Sequence, residues 1–191
     1  MILEIVKFGH PVLRTPGKRI DRVTPELRQL VANMLETMYA ANGVGLAAQQ
    51  IGRALLLTVI DATGSDQPWT VSPSTTMPLV LVNPKISSAQ GEQTGSEGCL
   101  SIPDVSADIR RAAQITVRAQ NLDGQDVVWT CTGLLARAVQ HEVDHLNGVL
   151  FVDRMDAATR ASFSGQLKKL HKETLATLKH AKLRGALARS R

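Results

Sequence analysis

Residues 138–148 read AVQHEVDHLNG, with His141 and His145 four positions apart and Glu142 directly after the first histidine. On a helix, residues i and i+4 are neighbours on one face, so this spacing sets two imidazoles side by side. Two rings are half of a tetrahedral metal site. The fold must therefore bury this helix and bring at least one further ligand to it from elsewhere in the chain. Leu134, Leu135, Ala138, Val139 and Leu146 give the segment the apolar surface of a helix crossing a core, and Gly148 is well placed to end it.

The surrounding pattern predicts an α+β fold of short, mostly antiparallel sheets packed around that central metal-binding helix, with a further helix at the C-terminus. Thr24 and Pro25 form a helix start, a capping hydroxyl followed by proline in the first turn, and Leu27, Leu30, Val31, Met34, Leu35 and Met38 follow at helical spacing. ALLLTVI at 54–60, LVLVNP at 79–84, QITVRAQ at 114–120 and DVVWTCT at 126–132 read as strands, with NLDG at 121–124 as the turn between the last two. Residues 61–78, rich in Ser, Thr, Pro and Gly, read as a surface loop. A last helix is expected from about Ala157 into the 180s, with Phe163, Leu167, Leu170, Leu175 and Leu178 toward the body. At 191 residues we expect one domain spanning 1–191, with 157–191 as a basic C-terminal helix and tail.

Charge is divided along the chain. Residues 157–191 carry nine Lys and Arg against Glu173 alone, a net +8, while the remainder is −3 within a total of +5. Such a tail attracts polyanions without sequence preference. The longest apolar runs are too short to cross a bilayer, and the N-terminal residues lack the basic and apolar regions of a secretory signal, so a cytoplasmic location and no membrane partner are expected. Cys99 and Cys131 are the only cysteines, too few for a disulfide framework.

Which residue completes the site separates several kinds of protein. Metalloproteases of the metzincin kind continue His-x-x-Gly-x-x-His, but here Gly148 is followed by Phe151, which cannot bind metal. Proteases of the thermolysin kind take a downstream glutamate, and the only one here, Glu173, lies in the basic helix. Upstream, Cys99 sits in the glycine-flanked stretch GSEGCLSIPD at 95–104, where a thiolate is a good ligand for iron or zinc. Cys131, in an alternating strand pattern, is the competitor and reads as a buried inert thiol.

GVGLAAQQ at 43–50, EGCLS at 97–101 and QHEVDH at 140–145 together resemble the three signature motifs of peptide deformylases, in the same order and at compatible distances. The resemblance implies that Cys99, His141 and His145 are the metal ligands, with Fe(II) as the native metal and zinc or another divalent ion able to substitute. It implies that Glu142 is the general acid and base, and that the Gln50 side-chain amide and the Leu100 backbone N–H hold the developing oxyanion. It further implies an N-formylmethionyl peptide substrate that adds as a strand beside Val44, Gly45 and Gly98, with methionine against Leu134, Ala138 and His141.

Arg137 and Gly95 fall where bulkier apolar residues would also suit such a pocket. Asp144 reads equally as an orienting partner of a ligand histidine or as a surface ion pair. The implied activity is removal of the N-formyl group from nascent chains with release of formate, and the basic tail suggests contact with ribosomal RNA. The alternatives are a zincin-like peptidase, or a structural metal-binding module whose working surface is the tail.

Overall fold

A computed structural model of the chain describes residues 1–189, with side chains described through residue 181. Helix α1 spans Pro25–Ala40; the Thr24 hydroxyl accepts from the Leu27 N–H, and Pro25 occupies a first-turn position that needs no donor. Its apolar face buries Leu27, Val31, Met34 and Met38.

Eight strands follow in chain order: β1 (Gly45–Ala47), β2 (Leu57–Ile60), β3 (Trp69–Ser72), β4 (Leu79–Gln90), β5 (Gln93–Cys99), β6 (Ile102–Arg111), β7 (Gln114–Gln120) and β8 (Asp126–Thr132). Six form one sheet in the order β1-β2-β4-β7-β8-β3, and β5 pairs with β6 as a separate hairpin. Every pairing between these strands is antiparallel. The β7–β8 turn is set by Asn121, whose side-chain oxygen accepts from the backbone N–H groups of Asp123 and Gln125.

Helix α2 (Gly133–Leu146) lies between the sheet and the hairpin. Leu135, Ala136 and Val139 pack against Ile60, Leu81, Ile115, Val117 and Trp129 of the sheet in one buried cluster. A second cluster joins α1 to β1 and β2, and a third packs the hairpin residues Ile102, Val105 and Ile109 on Leu13, Phe151 and Leu167. The helix begins at Gly133, with φ of +58° and the Pro68 carbonyl where a Cβ would stand, so any other residue meets both strain and backbone. It is followed by Gly148 at φ of +73°, whose missing Cβ leaves room for the Arg14 carbonyl.

The departures from expectation are local. Strand β3 lies inside the stretch read as loop: it is a short edge strand flanked by turn residues, half-buried on one face only. Strand β4 runs on through Gln90 because its second half pairs with β7 across two irregularities in register. The β5–β6 hairpin was not expected, since glycine and charge hide its alternation. The last helix is two, α3 (Ala157–Ser162) and α4 (Ser164–Arg189), broken at Phe163. Leu167 is buried and Leu170 packs against the same cluster, but Leu175 is 46% exposed and faces outward.

Asp153 ties the N-terminal segment to the loop after α2. Its carboxylate pairs with Arg14 and Arg160 and accepts from the Leu150 N–H. Burial alone would raise its pKa, but these partners hold it below the usual aspartate value. Because the folded pKa lies below the unfolded one, its stabilisation is present above the ordinary aspartate range and is lost as pH falls through the folded value. Urea titrations across that acid range should show a steep loss of stability in wild type and a shallower one in Asp153→Asn.

Candidate metal centre

Histidines 141 and 145 share a face of α2 as their spacing requires, with ring centroids 5.0 Å apart. Cys99 arrives from the end of β5, where the register breaks: Gly98 opposes Ser106, but Cys99 opposes Ile102. That irregularity re-aims the cysteine toward the helix. Its Sγ lies 3.2 Å from Nε2 of His145, and one donor atom from each of Cys99, His141 and His145 lies within 4.8 Å of the others. Cys131 belongs to the core cluster on the sheet, where burial pushes its thiol up to about 11. Both cysteines are free.

The donors suit a divalent metal. His145 is 1% exposed; burial and then the charge at His141 keep its pKa well below normal, and its Nδ1 has no hydrogen-bond partner among the described residues. Both influences favour the uncharged ring. His141 faces the opposite pull: burial disfavours its charge, yet contacts with Cys99 and Glu97 and the field of Glu142 raise its pKa to about 10. A thiolate and two imidazoles are ligands for iron or zinc.

Sequence reasoning missed Glu97. Its carboxylate accepts from Nδ1 of His141 at 3.1 Å, so the ring is held with Nε2 free for a metal. The same carboxylate takes a two-pronged bond from Arg111, 3.0 Å from Nε and 2.9 Å from Nη2, and lies 3.5 Å from Nη2 of Arg137. Burial works against its charge, but His141 and Arg111 hold it at about 2. Arg111 passes its other nitrogen to Asp144, which also binds the partly exposed Arg154. Asp144 therefore secures Arg111, and the ligand histidine is oriented by Glu97. The available signal was a glutamate two residues before a candidate ligand. Phe151, at the position where a metzincin carries histidine, stacks on His141 with the planes 30° apart.

Glu142 is 3% exposed, and its Oε2 lies 3.5 Å from the Thr58 hydroxyl of β2. Burial raises its pKa to about 7, against the pull of the charge at His141. A Cβ on Gly45 would overlap Oε1 of Glu142, so glycine there leaves room for the carboxylate. Gln50 accepts from the Ala47 N–H at 2.8 Å, which turns its amide nitrogen to 3.5 Å from Cys99 Sγ. The Lys7 ammonium donates to the Leu100 carbonyl at 2.8 Å and fixes that residue beside the cysteine.

These groups open on a cavity of about 600 Å³ lined also by Val44, Gly45, Gly98, Leu100, Leu134, Arg137 and Ala138. All nine residues singled out from the sequence lie at the cluster or on this cavity. Among the described residues, no helix is long and apolar enough to cross a membrane.

Fold and site together define a metal-binding site of three candidate ligands with an adjacent buried carboxylate and a cleft. The family model described as polypeptide deformylase matches residues 2–161. Among curated relatives, peptide deformylase of Acidobacterium capsulatum is 44% identical over 172 residues, covering 90% of this chain and 97% of its own length. That of Opitutus terrae is also 44% identical, over 188 residues, covering 94% and 98%. Solved structures agree: a peptide deformylase from Legionella pneumophila superposes with a TM-score of 0.77 at 36% identity, covering 96% of this chain and 99% of that one. The enzyme from Thermus thermophilus gives 0.81 at 34%, covering 91% and 99%. The chain belongs to the polypeptide deformylase family; it is a hydrolase with a peptide substrate.

Proposed function

We propose that this site removes the N-formyl group from N-formylmethionyl nascent chains in the cytoplasm, and that Cys99, His141 and His145 hold Fe(II) for the purpose. The observation that carries the reading is the buried Glu142 beside a cluster of only three candidate ligands among the described residues. Structural metal sites are usually closed by four protein ligands, whereas catalytic ones keep a position open. A peptidase of the zincin kind would draw its third ligand from downstream, and Phe151 and Glu173 do not supply it.

When bound, the metal supplies Lewis acidity, polarising a carbonyl and bringing a water molecule's pKa toward neutrality. On this reading Glu142 takes the proton of the attacking water as its oxygen bonds to the formyl carbon. The Gln50 amide and the Leu100 N–H donate to the oxygen that gains charge. The carbon–nitrogen bond then breaks, Glu142 returns the proton to the amine nitrogen, and formate leaves beside a free N-terminus. A carboxyl poised near pH 7 is suited to both transfers.

Peptide binding has its own support. Strand β1 is the outer strand of its sheet and β5 pairs only with β6, so both leave an open edge, and both line the cavity. A peptide added between them would meet the backbone of Val44, Gly45 and Gly98. Leu134, Ala138 and His141 form the wall for its first side chain.

The test is formate release from formyl-Met-Ala-Ser by protein loaded with Fe(II) under anaerobic conditions. Turnover that survives indefinitely in oxygenated buffer would speak for zinc, since a thiolate bound to Fe(II) is prone to oxidation. Internal cleavage of casein without formate would favour the peptidase.

The chain acts, on this proposal, as one catalytic domain with α4 as a basic appendage that docks on ribosomal RNA. Support lies in the +8 segment and in Lys168, Lys169, Lys172 and Lys179, all exposed on α4. Lys182, Arg184, Arg189 and Arg191 lie outside the residues with described side chains. Removing residues 180–191 should weaken co-sedimentation with ribosomes, most clearly at low salt, and leave turnover of short peptides as it was.

A further inference from the structure

The backbone proposed to receive the developing charge is held in place from the N-terminal segment. Leu100 and Ser101 form the two-residue turn between β5 and β6, with Cys99 opposite Ile102. Hairpin turns of this length favour the primed types, in which a positive φ matches the twist of the strands. Neither Leu100 nor Ser101 takes a positive φ. The turn is therefore not one that its own two residues would choose, and its shape depends on bonds from outside the hairpin.

Residues 6–8 supply those bonds. The Lys7 ammonium donates to the Leu100 carbonyl at 2.8 Å, and the Phe8 N–H donates to the Ser101 carbonyl at 2.9 Å. One residue earlier, the Val6 N–H donates to the Gln50 carbonyl at 2.9 Å. A single short segment thus grips the backbone of both residues that donate to the formyl oxygen in the proposed reaction. The Leu100 carbonyl belongs to the central peptide of the turn, the unit whose reversal interconverts turn types. A fixed donor on that oxygen opposes the reversal. Because residue 100 has only two soft backbone dihedrals, it also limits where the Leu100 N–H can point. Lys7 is half-buried, and its bond comes from a charged donor, the stronger kind.

Resting on the deformylase reading, we infer that Lys7 is a positioning residue for the reaction: its ammonium holds the central peptide of the β5–β6 turn so that the Leu100 N–H is aimed at the formyl oxygen as charge develops there. Lys7 itself does not line the cavity, so it acts through Leu100. Its contribution belongs to the transition state, because a donor aimed at a tetrahedral oxygen adds little to binding of the planar amide. Loss of a whole oxyanion donor costs about a hundred- to a thousandfold in kcat, and loss of its aim alone should cost less.

The experiment uses the Fe(II)-loaded full chain and formyl-Met-Ala-Ser. Lys7→Met keeps the apolar stem of the side chain and removes the donor. Its kcat should fall by about ten- to a hundredfold, the scale of a misplaced catalytic group, while KM and metal content stay near wild type. Lys7→Arg still offers a charged donor and should recover most of the loss. Lys7→Gln carries the test if Lys7→Met does not fold. A thioformyl peptide gives the readout that a merely structural role would not move. Sulfur is a weak hydrogen-bond acceptor, so the preference for the formyl over the thioformyl peptide, followed as free amine, should shrink in Lys7→Met. Unchanged kcat, loss of metal along with kcat, or an equal loss on the two peptides overturns the inference. If wild type releases no formate, the deformylase reading fails and the inference falls with it.

Discussion

Glu142→Gln is expected to bind metal as wild type does and to lose about a hundred- to ten-thousandfold in kcat, the range that general acid and base catalysis contributes. Glutamine keeps the size of the side chain and the contact with the Thr58 hydroxyl, so α2 and the cavity should be undisturbed. What it removes is the carboxylate that, on this reading, takes a proton from water and gives it to an amine. The two transfers depend on the same carboxyl, so a single substitution stops both. Stability should rise slightly, because a carboxylate that burial disfavours is exchanged for a neutral amide. The measurements are metal content after dialysis, kcat against formyl-Met-Ala-Ser, and the urea midpoint. Full activity in this variant would remove Glu142 from the chemistry. Loss of metal together with activity would mean that the carboxylate acts on the ligands instead.

Much of this site is legible in the sequence because helical periodicity is a local code. His141, Glu142 and His145 need only α2 to form, and the apolar residues around them announce that it will be buried. β7 and β8 match their expected limits because alternation and a turn sequence are also local. Cys99 could be preferred over Cys131 on neighbours alone. The β5–β6 hairpin was not legible, since β5 alternates glycine with polar residues and takes its order from pairing with β6 and from Arg111 and Arg137. Glu97 shared that obscurity. A glutamate in a glycine-rich stretch looks solvated until an arginine from β6 and a histidine from α2 enclose it. The break at Phe163 and the outward turn of Leu175 follow from geometry as well: Leu167 and Leu170 reach the third cluster, and Leu175 lies past it.

Glu97→Gln is expected to be as damaging as the loss of a ligand, although Glu97 touches no metal in the proposed chemistry. The carboxylate is the single anion that faces Arg111, Arg137 and His141 together. Removing its charge leaves Arg111 buried with Asp144 alone and Arg137 with backbone carbonyls alone. Breaking a buried pair by deleting one partner costs about 3–5 kcal/mol, far more than the pair itself contributes against an apolar replacement. The second consequence concerns His141. An amide at residue 97 can present either oxygen or nitrogen to Nδ1, so the ring loses both its fixed tautomer and the negative charge that raises the basicity of Nε2. Substitution of such orienting partners lowers metal affinity by about ten- to a hundredfold. Competition with a chelator should therefore show weaker metal binding, and urea unfolding should show the stability loss in metal-stripped protein too. The two readouts separate the roles: a stability loss with unaltered metal affinity would make Glu97 a counter-ion for the arginines, and its bond to His141 incidental.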